Sequence, residues 1–190
     1  VFYATPKGHS YVNRDILNIL MEAGHEVHMY KLTENQLLPE FPMPTSMKSN
    51  KDHLIKREDF EAWLDEIKPD VMFFNEYSQW WQEDHNKVSI CKTKGIKTIG
   101  YLVWEKLDFE RLSHYKYYDK IIVPTGFQTK LMRSKGIYNV FHTPWGVDLK
   151  EIDSIKPMEN RDKKKVTSFH FAGSGGVEDK KNTQAVIAAY

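Results

Sequence analysis

The chain has 190 residues, 41% apolar, 13% aromatic and 28% charged, and its 27 Lys and Arg against 26 Asp and Glu leave a formal net charge of +1. That length and apolar share allow a sizeable core, one domain or one domain plus part of another, and exclude an intrinsically disordered chain. The charge balance offers no general footprint for nucleic acid; the single Cys91 makes no internal disulfide and has no Cys or His neighbour at zinc spacing.

No stretch of about 18 apolar residues marks a membrane span, and no charged-then-apolar leader is visible. A reducing, cytoplasmic setting is expected. The chain opens without Met, already inside an apolar run, so sequence upstream is expected to have been trimmed.

Residues 1–4 form a short apolar run broken by Thr5, Pro6, Lys7 and Gly8, the pattern of a buried strand entering a loop. Ile16, Leu17, Ile19, Leu20 and Ala23 then recur at helical spacing, with Gly24 placed for a left-handed helix end. Residues 26–30 alternate as a second strand, which completes a βαβ unit with parallel strands. Residues 37–51, rich in Pro and Ser, read as an irregular loop. A helix is predicted over 59–67, with Phe60, Trp63, Leu64 and Ile67 on one face, ended by Pro69 and Asp70.

A strand at 71–74, a helix at 86–94, a strand at 97–104 and a strand at 119–123 follow, the last after the cluster Tyr115, Tyr117 and Tyr118. A helix at 129–135 leads through Gly136 to a strand at 138–142. Alternation at this pace predicts a doubly wound, Rossmann-like α/β domain over residues 1–150. Residues 151–165 are charged and aperiodic, contain Pro157 and the solvated run Lys163, Lys164 and Lys165, and read as a linker. From 166 a new βα unit begins: a strand to 172, the glycine loop Gly173, Ser174, Gly175 and Gly176, and a helix from 182. One strand and one helix cannot close a core, so the chain is expected to stop inside a second domain.

Ala23, Gly24, His25, Glu26 and Val27, together with Lys68, Pro69, Asp70 and Val71, resemble a helix-to-strand junction and a strand entry of the GT-B glycosyltransferases, especially the retaining family 4. More specific are residues 118–125, then Gly136, Ile137, Tyr138, Asn139 and Val140, then Pro144, Trp145, Gly146, Val147 and Asp148. In the family this order closes the amino-terminal, acceptor-side domain. Phe171, Ala172 and Gly173, with Lys180, Lys181 and Asn182, are similar to the start of its nucleotide-sugar domain. The resemblance implies retaining transfer of a sugar from a UDP- or GDP-linked donor to a glycan, lipid or small-molecule acceptor. It implies no further cofactor and no metal, and leaves peripheral membrane association and a homodimer open. The family's two donor-side glutamates would lie beyond Tyr190, so this stretch alone is expected not to turn over.

Candidate site residues lie on the loops after the strands. Gly8, His9 and Ser10 stand at the start of the first helix, where unpaired N–H groups hold anions, the alternative being a plain turn capped by Ser10. The G-x-G-x-x-G dinucleotide spacing is missing. Glu105, after Trp104, is either a cleft carboxylate binding sugar hydroxyls or assisting proton transfer, or a solvated loop residue beside a core aromatic. Glu76 and Tyr77 occupy the equivalent place one strand earlier. Trp80 and Trp81 suit a sugar-stacking platform or a protein interface.

In the second glycine loop, Gly173, Ser174 and Gly175 with Lys180 and Lys181 are implied to face the donor diphosphate. Ser174 stands where the family has arginine, so backbone N–H groups and the lysines would carry that charge. His28 and His170 read as structural strand residues, and no histidine pair shows metal spacing. Two readings of other classes stay beside the transferase: a non-catalytic nucleotide- or phosphate-binding module of the same layering, and an interaction scaffold using Trp80 and Trp81.

Overall fold

The computed structural model describes residues 8–31, 41–49, 55–75, 84–103, 110, 112–146, 149–156 and 183–188. The predicted strands at 1–4 and 166–172 and the loop at 173–176 lie outside these residues. The chain divides into two units, Val1–Gly146 and Val147–Tyr190.

In the first unit, α1 (Gly8–Glu22) buries Ser10, Asn13 and Leu17 completely, a stripe of i, i+3 and i+7 positions. The predicted apolar position Ile19 is instead 64% exposed, because it lies nearly opposite the buried stripe on the helix. The helix ends as expected: Gly24 takes φ +82°, and its N–H donates to the Met21 carbonyl at 2.9 Å. β1 (His28–Lys31) pairs in parallel with β2 (Ser46–Ser49), and His28 Nδ1 lies 2.8 Å from Ser46 Oγ, a structural role for that histidine. β2 corrects the reading of 37–51 as irregular throughout. Its four residues carry no apolar alternation, so only the backbone ladder to β1 marks them as a strand.

α2 (Arg57–Ile67) buries Phe60, Trp63 and Leu64 and stops at Lys68, whose left-handed backbone (φ 53°) directs its N–H to the Leu64 carbonyl just before Pro69. β3 (Val71–Asn75), α3 (Asp84–Thr93) and β4 (Lys97–Tyr101) follow. The short α4 (Leu112–Tyr115), absent from the sequence reading, precedes β5 (Lys120–Val123). α5 (Gly126–Ser134) starts three residues before its predicted beginning because Thr125 caps it: Thr125 Oγ1 accepts from the Gln128 N–H at 3.1 Å. β6 (Val140–His142) closes a four-stranded, all-parallel sheet in the order β3-β4-β5-β6.

One face of this sheet is the main core. Met72, Phe74, Ile121, Val123 and Val140 join Phe60, Trp63 and Leu64 of α2, Val88 and Cys91 of α3, and Met132 of α5. Gly100 on β4 lets the Tyr118 ring lie against the strand: a Cβ there would stand 3.1 Å from two ring carbons. On the opposite face Phe73 packs with Leu17, Met29 and Phe41, which ties α1 and β1 to β3. The amino end of the sheet is clipped by side chains. Asp119 Oδ2 accepts from the Thr98 N–H at 2.7 Å and from its hydroxyl at 2.9 Å, and Asn139 Nδ2 donates to the carbonyls of Tyr115 and Tyr118.

In the second unit, α6 (Leu149–Ser154) and α7 (Thr183–Ala188) are described. α6 corrects the aperiodic reading at the start of the linker: Leu149, Ile152 and Ile155 repeat every three residues among charges, and all three are exposed. The described protein is thus α/β, with parallel sheets of two and four strands and helices around them, compatible with a Rossmann-like layer. Among the described residues no helix is long and apolar enough to cross a membrane.

Candidate functional site

Parallel strands present all their carboxyl ends on one side, where the following loops leave room for a ligand. In the first unit this edge carries Asn75 at the end of β3 and Tyr101 at the end of β4, opposite each other in the ladder. Asn75 is 3% exposed and Tyr101 6%. Asparagine is disfavoured in strands, and burying its amide is costly unless it is hydrogen-bonded. Half of that requirement is met by α1: Asn75 Nδ2 donates to Asn13 Oδ1 at 2.5 Å. Asn75 Oδ1, also buried, accepts nothing among the described residues.

The aromatic groups at this edge are fixed. Tyr101 stacks on Phe73 with ring centroids 6.2 Å apart and 28° between planes. Trp145 follows β6, and its Nε1–H donates to Tyr101 Oη at 2.7 Å while the residue as a whole stays 61% exposed. A tryptophan held by its one polar atom keeps a flat apolar face available to a partner. His142 Nε2 donates to the Pro124 carbonyl at 3.2 Å, a structural use of that ring beside the same edge.

Of the residues singled out from the sequence, Gly8, His9 and Ser10 open α1, as expected for a helix start after a loop. Ser10 is fully buried and forms one stripe with Asn13, so the structure brings it to the helix face that meets Asn75. Glu105, Glu76, Tyr77, Trp80, Trp81, Trp104, Gly173, Ser174, Gly175, Lys180 and Lys181 lie outside the described residues, as does His170. Asn13, Asn75 and Tyr101 were not singled out, and Trp145 entered only as part of the turn after the last strand. A buried asparagine belongs to no motif; the available signal was a strand of apolar residues that ends in Asn.

Among the described residues no group of three His, Cys, Asp or Glu side chains could hold a metal ion. Cys91 is fully buried in the main core, and burial pushes its thiol up to about 12. The thiolate is the reactive form, so Cys91 is structural. Iodoacetamide at mildly alkaline pH is expected to leave it unmodified in the folded protein and to alkylate it in concentrated urea. Rapid labelling of the native state would contradict this packing. The chain matches no protein-family model and no curated protein.

Proposed function

We propose that this chain is the acceptor-side, Rossmann-like part of a GT-B glycosyltransferase joined to the first βα unit of its donor domain. Its reaction is transfer of a sugar, with retention, from a UDP- or GDP-linked donor to a carbohydrate or glycoconjugate acceptor. The observation that carries the reading is the carboxyl edge of the parallel sheet. There α1 begins with the loop residues Gly8, His9 and Ser10, and fixed aromatic and amide side chains stand beside it. The start of α1, as a helix N-terminus, carries partial positive charge that suits the donor phosphates. Trp145, held by Tyr101, offers apolar ring surface to a sugar. The ordered sequence motifs that resemble family 4 support the same assignment.

In this reading Glu105 assists the acceptor hydroxyl, and Glu76, Tyr77, Trp80, Trp81 and Trp104 contact the acceptor. The glycine loop Gly173, Ser174 and Gly175, with Lys180 and Lys181, faces the diphosphate. Stabilising the leaving diphosphate by fixed N–H groups and cations lowers the barrier without a change of protein charge during the step.

Calorimetric titration of the chain with UDP, GDP and their common sugar conjugates tests the proposal. Saturable binding of one nucleotide class is expected, with a thermal stabilisation that rises with ligand concentration. Absence of binding and of stabilisation across the whole panel by the chain completed with its donor domain would overturn it. A donor bound but never consumed, whatever the acceptor and with the donor domain complete, would favour the nucleotide-binding module.

A further inference from the structure

We infer that copies of this chain associate head to tail, the basic and aromatic flank formed by α5 and β6 of one copy docking on the acidic outer face of α2 of the next. The inference uses none of the residues assigned to sugar transfer and stands apart from that reading.

The basic flank comes first. Residues 120–146 hold Lys120, Lys130, Arg133 and Lys135 and no Asp or Glu, in a chain whose formal net charge is only +1. The fold gathers this charge around β6. Arg133 donates to the Val140 carbonyl at 3.2 Å, Lys120 Nζ stands 5.5 Å from the centre of the Phe141 ring, and Lys116 Nζ lies 3.7 Å from where a Cβ on Gly136 would be. Among these cations Tyr138 is 77% exposed and Phe141 47%. Asp119, next to Lys120 in the chain, is turned towards β4 by its bonds to Thr98.

The acidic face lies on α2, where Glu58, Asp59, Ala62, Asp65 and Glu66 are exposed. Glu61 and Asp65 are held by Arg57 and Lys94, and among the described residues no ion pair engages Glu58, Asp59 or Glu66. Positions 58, 62 and 66 share one stripe, so two carboxylates stand about 12 Å apart along the helix with a small residue between them. The helix dipole favours anions in the first turn of α2, but Glu66 sits in its last turn, where the dipole opposes it. Lys120 on a strand and Lys130 within α5 likewise gain nothing from a helix end.

The place of the two surfaces in the fold selects the partner. Along the sheet α2 packs beside α3, α3 over β4, and α5 over β5 and β6. The acidic helix and the basic flank therefore end the helix layer on opposite sides and cannot meet within one copy. Between copies they match in sign and in shape: the projecting Tyr138 fits the notch at Ala62 while the cations around it face Glu58 and Glu66. A contact between two different surfaces leaves one of each open at the ends of a pair, so further copies add. An interface of exposed charges weakens as salt rises.

Sedimentation velocity of the full chain over a range of concentrations tests this. The average mass is expected to rise with concentration at about 50 mM salt, and the apparent affinity to fall about tenfold at about 500 mM. The double variants Glu58→Gln with Glu66→Gln, and Lys120→Gln with Lys130→Gln, are each expected to lose this association. An equimolar mixture of the two is expected to form pairs and nothing larger, since one supplies an intact basic flank and the other an intact acidic helix. Tyr138→Ala, at an exposed position, is expected to weaken association about fivefold, and it carries the test should a charge variant fail to fold. A parent chain that stays monomeric in low salt, or that associates equally in every variant, would overturn the inference. A monomer that instead sediments with vesicles of phosphatidylglycerol and phosphatidylcholine, and ceases to do so without Lys120 and Lys130, would also overturn it and assign the basic flank to a lipid surface.

Discussion

Truncating Phe60 to alanine is expected to remove about 3–5 kcal/mol of stability, the range for losing a fully buried phenylalanine and leaving a cavity. Phe60 is 0% exposed on α2; its ring lies 6.4 Å from that of Trp63, which in turn meets Tyr30 at 5.3 Å. Through this group α2 holds the strand ends of the first unit in one core. Domains of this size have about 5–15 kcal/mol in total, so the substitution takes a large share of it. Urea unfolding followed by tryptophan fluorescence reads the loss as a lower midpoint at an unchanged slope. Phe127→Ala is the control: Phe127 is 73% exposed, and a change within about 0.5 kcal/mol is expected. Equal effects at the two positions would contradict the described core.

Asp119 provides the second large effect. Replacing it by alanine leaves the Thr98 N–H and hydroxyl without their acceptor at a residue that is 0% exposed, at an expected cost of about 2–4 kcal/mol at neutral pH. Partial burial of the carboxyl works against its charge. The two hydrogen bonds from Thr98, and then the charges of Lys92 and Lys97, outweigh it and hold the group below the usual carboxylate range. A folded pKa below the unfolded one means that the contribution is complete above the unfolded value, about 3.9, and disappears as pH falls through the lower folded value. The stability difference between the parent chain and Asp119→Asn is therefore expected to be constant near neutrality and to close in acid. A difference that stayed level through the acid limb, or widened there, would show that the charge of Asp119 is not what holds Thr98.

Much of the fold was legible because burial and periodicity coincide in it. Phe60, Trp63 and Leu64 announce α2, and the apolar runs in β3 and β5 announce buried strands. β2 was not legible, since Ser46, Met47, Lys48 and Ser49 owe their strand to the backbone of β1 and not to their own side chains. The start of α5 was legible in principle from Thr125 and Gln128, three residues apart as a helix cap requires. At the site the helix-opening loop could be read, whereas Asn13 and Asn75 could not, because residues 62 apart meet only after the sheet has formed. Residues 118–125 and 136–140 have a structural reason of their own: Asp119 and Asn139 are the clips at the amino end of the strands, opposite the candidate site.

That separation bears on how such a domain can diversify. The amino edge is clipped by Asp119, Thr98 and Asn139, and one of these bonds reaches the Tyr115 carbonyl of α4, within the segment that leaves β4. Changes confined to the turns at the carboxyl ends leave these bonds in place and can alter what is recognised, whereas exchange of the whole β4–β5 connection would remove the Tyr115 and Tyr118 carbonyls that Asn139 bridges. Grafting a foreign loop is thus best attempted after β3, and a library intended to preserve folding should leave the amino-edge polar side chains untouched.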